Sequence, residues 1–206
     1  MSTPRRPRTR PRKAPKQARS RELVEAVLVA AARVFVQQGY ARATTNRIAQ
    51  AAGISVGSLY QYFPSKDSIA VELLRRYRES LVAIVTGHLQ GIAQASFEDV
   101  VRRLLTALLR AEGMNPALHR VLIEQVLRTS ARAEIIGFEE RMEHLLADAI
   151  RGAGVTSSAR DPDRMAFVLV RAVLATAQAA VVDRPGMNGP ELVEELSRLV
   201  VRFLAA

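Results

Sequence analysis

Cysteine is absent from the 206 residues, which excludes disulfides and thiolate metal sites. Aromatics are scarce at 5 %, whereas apolar residues make up 49 %, with alanine and leucine doing much of the filling. That balance favours helices over sheets. No window alternates with period two through β-branched residues, so no strands are expected. No apolar run reaches 18 residues, and the basic N-terminus has no apolar segment behind it as a secretory leader would. A cytoplasmic chain that does not enter a membrane is expected. His88, His119 and His144 are scattered without ligand spacing, so neither a metal nor a cofactor is expected.

Acid is missing altogether from the first 20 residues, which carry eight of the net +10 charges: Arg5, Arg6, Arg8, Arg10, Arg12, Lys13, Lys16 and Arg19. Pro4, Pro7, Pro11 and Pro15 deny this segment a helix. A disordered basic arm over residues 1–19 is expected, attracted to polyanions. Nucleic acid fits it better than a solubilising role or an anionic membrane, since no amphipathic face accompanies the charge.

What is present is helix punctuation. Ser20 opens a segment with Leu23, Ala26, Val27, Ala30, Val34 and Phe35 on one face, stopping at Gly39. Ser65 and Ser96 open two more, and Asn115-Pro116, Asp161-Pro162 and Gly189-Pro190 each set a capping residue before a proline. Another helix spans about Ala133 to Arg151, before Gly152 and Gly154. The chain is read as all-α with about nine helices.

The stretch "TTNRIAQAAGISVGSLYQYFPSKDSI" holds the densest signals. Thr44 or Thr45 caps a short helix with Ile48, Ala49 and Ala52 on one side. Gly53 follows, where a tight turn needs a positive φ. Ser55 caps a second short helix carrying Leu59, Tyr60 and Phe63 on one face, and Pro64 ends it. Two short helices joined by a glycine turn make a helix-turn-helix. The outward face of the second is then Ser55, Val56, Gly57, Ser58, Gln61 and Tyr62, without an acid and with little bulk. Such a face enters a major groove, where glutamine pairs with adenine and a methyl touches thymine. Gly57 in a helix interior costs about 1 kcal/mol, which close approach of DNA to the backbone would explain. Phe63 and the ring of Tyr60 are expected to seal the core, with the Tyr60 and Tyr62 hydroxyls reaching phosphates. Thr44, Thr45, Arg47 and Lys66 complete the expected contact set, Thr45 and Lys66 standing at helix starts that favour phosphate.

Gly53 to Gly57 also reads G-x-S-x-G, the pattern of a hydrolase nucleophile elbow. An elbow needs a strand before the serine and a sheet beneath it. Here a helical segment precedes Gly53, so Ser55 is read as a cap and a serine hydrolase is the remote alternative.

The same residues resemble the DNA-binding motif of the TetR family of bacterial transcriptional regulators. Thr45, Ile48, Ala49, Ala52-Gly53, Ser55, Gly57, Leu59-Tyr60, Tyr62-Phe63 and Lys66 stand where that pattern expects such types, within residues 20–70. The resemblance implies a homodimer on a two-fold symmetric double-stranded DNA operator and a C-terminal helical domain that binds a small molecule and loosens DNA contact. Expected domains are the arm 1–19, a three-helix DNA-binding domain 20–66, and an effector-binding and dimerisation domain 67–206. The expected function is a ligand-responsive regulator, a repressor and not an enzyme; the alternative is an architectural DNA-binding protein with little sequence preference.

In the last helix Leu192, Leu196, Leu199 and Phe203 recur at heptad-like spacing, with Val193, Val200 and Leu204 as a second stripe. One stripe docks the helix on its own domain and the other needs a partner. The first set is the expected dimer interface, helped by the alanine-rich helix from Arg164 to Val182. Gln125, Phe138, Met142, Met165 and Phe167 are the candidate effector pocket, adaptable apolar groups beside one isolated amide.

Overall fold

A computed structural model of the chain describes residues 18–89, 96–113, 115–126, 132–153 and 160–205. The arm over 1–17 and the side chain of Gln125 lie outside the described residues. Among the described residues there are nine α-helices and no strand: α1 Ala18–Gln38, α2 Thr45–Ala51, α3 Val56–Tyr62, α4 Lys66–Leu89, α5 Phe97–Gly113, α6 Pro116–Val126, α7 Arg132–Ala153, α8 Pro162–Val182 and α9 Pro190–Ala205.

The caps are where short polar side chains place them. Thr44 Oγ1 accepts from the Arg47 amide at 3.3 Å and starts α2. Ser55 Oγ accepts from the Ser58 amide at 3.0 Å and starts α3. Ser65 and Ser68 bond reciprocally, each hydroxyl accepting the other's amide at 3.2 Å, so the entry of α4 is fixed from both sides. Ser96 and Asp161 cap α5 and α8. Gly39 and Gly53 take φ +73° and +69°, values open to few other residues. Two boundaries differ from expectation. The chain is already helical at Ala18, so Ser20 lies inside α1 and does not cap it, and α7 continues through Gly152 to Ala153.

By internal contact the residues form two compact units. The first comprises the described residues of Met1–Tyr77 and Ala117–Ala133, and the second those of Arg78–Pro116 and Glu134–Ala206. In the first, α1 packs on α2 and α2 on α3. Phe35, Ile48, Leu59, Phe63, Ile69 and Leu74 are buried there. Glu72 of α4 is buried as well and accepts from Arg75 at 2.6 Å and from Arg76 at 3.0 Å, while Arg76 also pairs with Glu25 of α1. Burial alone would raise the Glu72 carboxyl, but the two guanidiniums outweigh it and hold it below the usual glutamate range.

In the second unit α5 packs against α8 and α9. Its core joins Val101, Leu105 and Leu109 of α5 to Met165 and Leu169 of α8 and to one face of α9. That face is Val193, Leu196, Val200 and Leu204. The expected division of α9 into two stripes is therefore re-sorted. Leu196, expected on a partner, is 5 % exposed in the core of its own unit. Leu192 and Phe203 pack at the edge of that core, and Leu199 remains 48 % exposed. The reason is geometric: residues 193, 196, 200 and 204 share one side of a 3.6-residue helix, and 199 is turned away from it.

Candidate nucleic-acid interface and ligand cavity

No acid occurs between Glu25 and Asp67, a span that contains α2, α3 and the turns around them, while Arg33, Arg42, Arg47 and Lys66 lie within it. The helix-turn-helix is thus an acid-free surface. On α3, Leu59 and Phe63 point inward and are fully buried, which leaves Gly57, Tyr60 and Gln61 exposed together one turn apart. Ser55 at the cap and Thr44 before α2 are exposed as well; Thr45, Val56, Ser58 and Tyr62 are half-buried beside them.

The Tyr60 ring does not seal the core. It is 40 % exposed, because position 60 follows Leu59 by about 100° around the helix, and its hydroxyl lies 3.0 Å from Thr45 Oγ1. That contact ties α3 to the start of α2. Ser55 Oγ is 2.8 Å from Ser58 Oγ, so the serine of the G-x-S-x-G pattern works as a helix cap between two hydrogen-bond partners.

Three of these cations are held by the fold. Arg47 donates to Gln38 Oε1 at 2.8 Å and to the Arg42 carbonyl at 3.1 Å, and Arg42 donates back to the Gln38 carbonyl at 2.9 Å. Lys66, expected on a phosphate, donates to the carbonyls of Tyr40, Ala43 and Ala41 at 2.7, 3.1 and 3.3 Å. Three donors meet three acceptors, and the ammonium also stands 4.5 Å from the centre of the Tyr40 ring. The Tyr40 hydroxyl donates to the Asp67 carboxylate, and the ring packs on Phe35 at 5.2 Å. Burial, then the Asp67 bond and charge, push the Tyr40 hydroxyl well above its usual range, so it stays a donor. Lys66 and Asp67 together staple the start of α4 to the turn that leads into α2. Sequence alone singles out neither Tyr40 nor Arg42: the partner of Tyr40 lies 27 residues away, and Arg42, whose partners Gln38 and Arg47 are local, belongs to no motif.

The second unit contains an apolar cavity of about 100 Å³. It is lined from five helices, among others by Leu89 of α4, Leu104 of α5, Met142 of α7, Leu174 of α8 and Leu204 of α9. Of the residues expected in a pocket, Met142 is on its wall. Phe138 and Met165 are buried elsewhere in the unit, Phe138 under the Arg78 guanidinium at 5.2 Å. Phe167 faces outward, 51 % exposed, with the Arg171 guanidinium 5.3 Å from its ring. Arg171 is held in turn by Glu139 and Glu143 of α7.

Residues 27–73 match the sequence profile of bacterial regulatory proteins of the tetR family, and residues 96–204 match that of the tetracyclin repressor-like C-terminal domain. The chain belongs to the TetR family. The helix-turn-helix, α2 and α3 with the glycine turn between them, lies within the segment that matches the regulatory-protein profile. Among curated relatives the chain is 30 % identical over 110 residues to the nucleoid occlusion factor SlmA of Glaesserella parasuis, covering 52 % of this chain and 53 % of that one. It is 39 % identical over 84 residues to the HTH-type transcriptional repressor KstR2 of Mycobacterium tuberculosis, covering 36 % of this chain and 42 % of that one. The chain thus spans about half the length of the curated relatives it matches. Solved structures extend the likeness in fold to nearly the whole chain. A TetR-family regulator of Mesorhizobium loti superposes with a TM-score of 0.73 at 21 % identity, over 92 % of this chain and 98 % of that one. The TetR-family repressor FadR of Thermus thermophilus, in complex with lauroyl-CoA, does so with a TM-score of 0.63 at 22 % identity, over 86 % and 93 %.

Proposed function

We propose that this TetR-family regulator is a cytoplasmic homodimeric repressor that reads a two-fold symmetric operator and is released by a small apolar effector. The observation that carries the reading half is Gly57. A methyl group built there would touch only Ser55 Oγ, at 3.8 Å, so nothing inside the protein requires glycine at that position. A helix interior that bears the cost of glycine without an internal reason fits a backbone closely approached by another molecule. The exposure of Gln61 beside it supports pairing with a base, and that of Thr44, Ser55 and Tyr60 supports contacts to phosphates.

Two observations support the rest. The cavity of about 100 Å³ is lined by apolar side chains alone, and burying apolar atoms against such a wall is favourable. The complex of the fold-similar FadR with lauroyl-CoA supports a small-molecule effector that carries an apolar portion. Helix α8 is long and apolar enough, by length and composition, to cross a membrane, yet only 39 % of its most apolar window is buried within the chain. Phe167 and Val168 are exposed on it, as Leu199 is on α9. A second copy covering this surface removes it from water, and the Arg171 ion pairs in mid-helix disfavour lipid as the cover. Helix α4 supplies residues to both units, those up to Tyr77 to the first and those from Arg78 to the second.

The test is a pair of titrations. Gln61→Ala should relax sequence preference at one or two base pairs per half-site, at about 1–3 kcal/mol, with little change on random DNA. Equal losses on both DNAs would favour the second reading, architectural binding. Its support is the kinship with a nucleoid occlusion factor together with eight basic residues in the first 20.

A further inference from the structure

The cavity in the second unit is unusual in chemistry more than in size. No side chain on its wall carries a nitrogen or an oxygen. A ligand seated there makes no hydrogen bond, so any polar atom inside would lose its water without replacement. The wall is also long. It runs from Phe97 to Leu108 on α5 and from Met142 to Ala153 on α7, about 16 Å along each helix at 1.5 Å per residue. A twelve-carbon chain needs more than the about 100 Å³ now open, so an extended unbranched ligand enters by parting the helices along this wall, whereas a compact polycycle finds nothing to orient it.

Polar ground lies beside the wall near the start of α5. Val100 lies on that wall and also lines a separate open groove with Ala83, Ile84, Gly87, His88 and Arg103. Arg103 is exposed, donates Nε–H to the Asp99 carbonyl at 3.2 Å, and has no carboxylate partner among the described residues. Its neighbour Arg102, by contrast, is paired with Glu194 at 3.3 Å. His88 binds the Ile84 carbonyl through Nδ1 at 2.8 Å, leaving Nε2 for another group. A methyl group at Gly87 would meet nothing, so the groove is open above these side chains.

We infer that the effector is a single-chain aliphatic amphiphile with an anionic end, its chain in the slot and its charge at Arg103 beside His88. This rests on the proposal that the cavity is the effector site, and it names the ligand class. A free fatty carboxylate and an acyl chain carried on a phosphate-bearing thioester share this chemistry. Both put hydrocarbon in the slot and negative charge against a guanidinium.

The experiment measures binding of octanoate, dodecanoate and hexadecanoate, of dodecanoyl-coenzyme A, of neutral dodecanol and of cationic dodecyltrimethylammonium. All are held below micelle-forming concentrations, with calorimetry and thermal unfolding as readouts. Dodecanoate or its thioester should bind at least tenfold tighter than dodecanol, and whichever of the two binds tighter identifies the carrier. Arg103→Ala should bring the anionic ligands to the dodecanol level and leave dodecanol unchanged. Ala149→Phe, which fills the slot, should abolish binding of every chain while circular dichroism shows the helices retained. Equal binding of the cationic amphiphile, or no effect of Arg103→Ala, overturns the assignment of the head. Failure of every alkyl ligand to bind the folded protein overturns the class. Anionic chains that bind but leave operator affinity unchanged would instead contradict the proposed control of DNA binding, with the ligand class intact.

Discussion

Lys66→Met removes one charge and keeps most of the aliphatic stem, so it isolates what the ammonium does. In the structure that ammonium satisfies three backbone carbonyls of residues 40–43. Hydrogen bonds to a charged group contribute about 1.5–3 kcal/mol each in isolation, but these share one donor atom and the Ala41 acceptor is at the surface, where water replaces the donor. A net loss of about 2 kcal/mol is expected, or about 4–8 °C in melting temperature for a chain of this length. Urea and thermal unfolding of the free protein measure it. Operator affinity should also fall, because the turn leading into α2 loosens, but the slope of affinity against salt should stay as in the wild type. A phosphate contact predicts the opposite pattern: unchanged stability of the free protein and a slope shallower by about 0.9. That outcome would refute the staple.

Further predictions come from the same geometry. Gly57→Ala should leave the free protein as stable or up to about 1 kcal/mol more stable, since the new methyl meets only Ser55 Oγ, at an ordinary contact distance of 3.8 Å, yet it should weaken operator binding; unchanged binding would remove Gly57 from the interface. Leu199→Glu should dissociate a dimer while the helices persist, whereas Leu196→Glu should unfold the second unit, and light scattering with circular dichroism separates the two. Glu72 has its carboxyl held below the ordinary range, so its contribution is present above the unfolded glutamate pKa of about 4.3 and is lost as pH falls below it. Acid unfolding of Glu72→Gln should therefore be flatter in that window and start from lower stability at neutral pH.

Helix order, the glycine turn and most caps were legible because each is a local event. A threonine or serine three residues before its amide partner, or a glycine at positive φ, is written in a few adjacent letters. The helix-turn-helix was legible for the same reason. Long-range choices were not. Leu192 and Leu196 carry equal apolar weight, and only the docked position of α9 decides that Leu196 enters the core while Leu199 stays outside. Lys66 at a helix start matches a phosphate contact, and only the fold brings three carbonyls from 23 to 26 residues earlier within its reach. The cavity was the least legible feature. It is walled by ordinary aliphatic residues from five helices, which differ in no local way from the core, and the more distinctive Phe138, Met165 and Phe167 are placed away from it.

Selection of bound fragments from a random DNA pool by the full chain is the direct test of an α3 face that reads sequence for a dimer. Enrichment of a two-fold symmetric motif is expected, with half-site centres about one helical turn apart, roughly 34–36 Å, or a multiple of it. Enrichment of the same motif should fail with Gln61→Ala at the base pairs that residue reads. A pool that stays random after repeated rounds, while the protein still binds DNA in a salt-dependent way, would contradict this expectation and leave a protein that grips DNA without reading it.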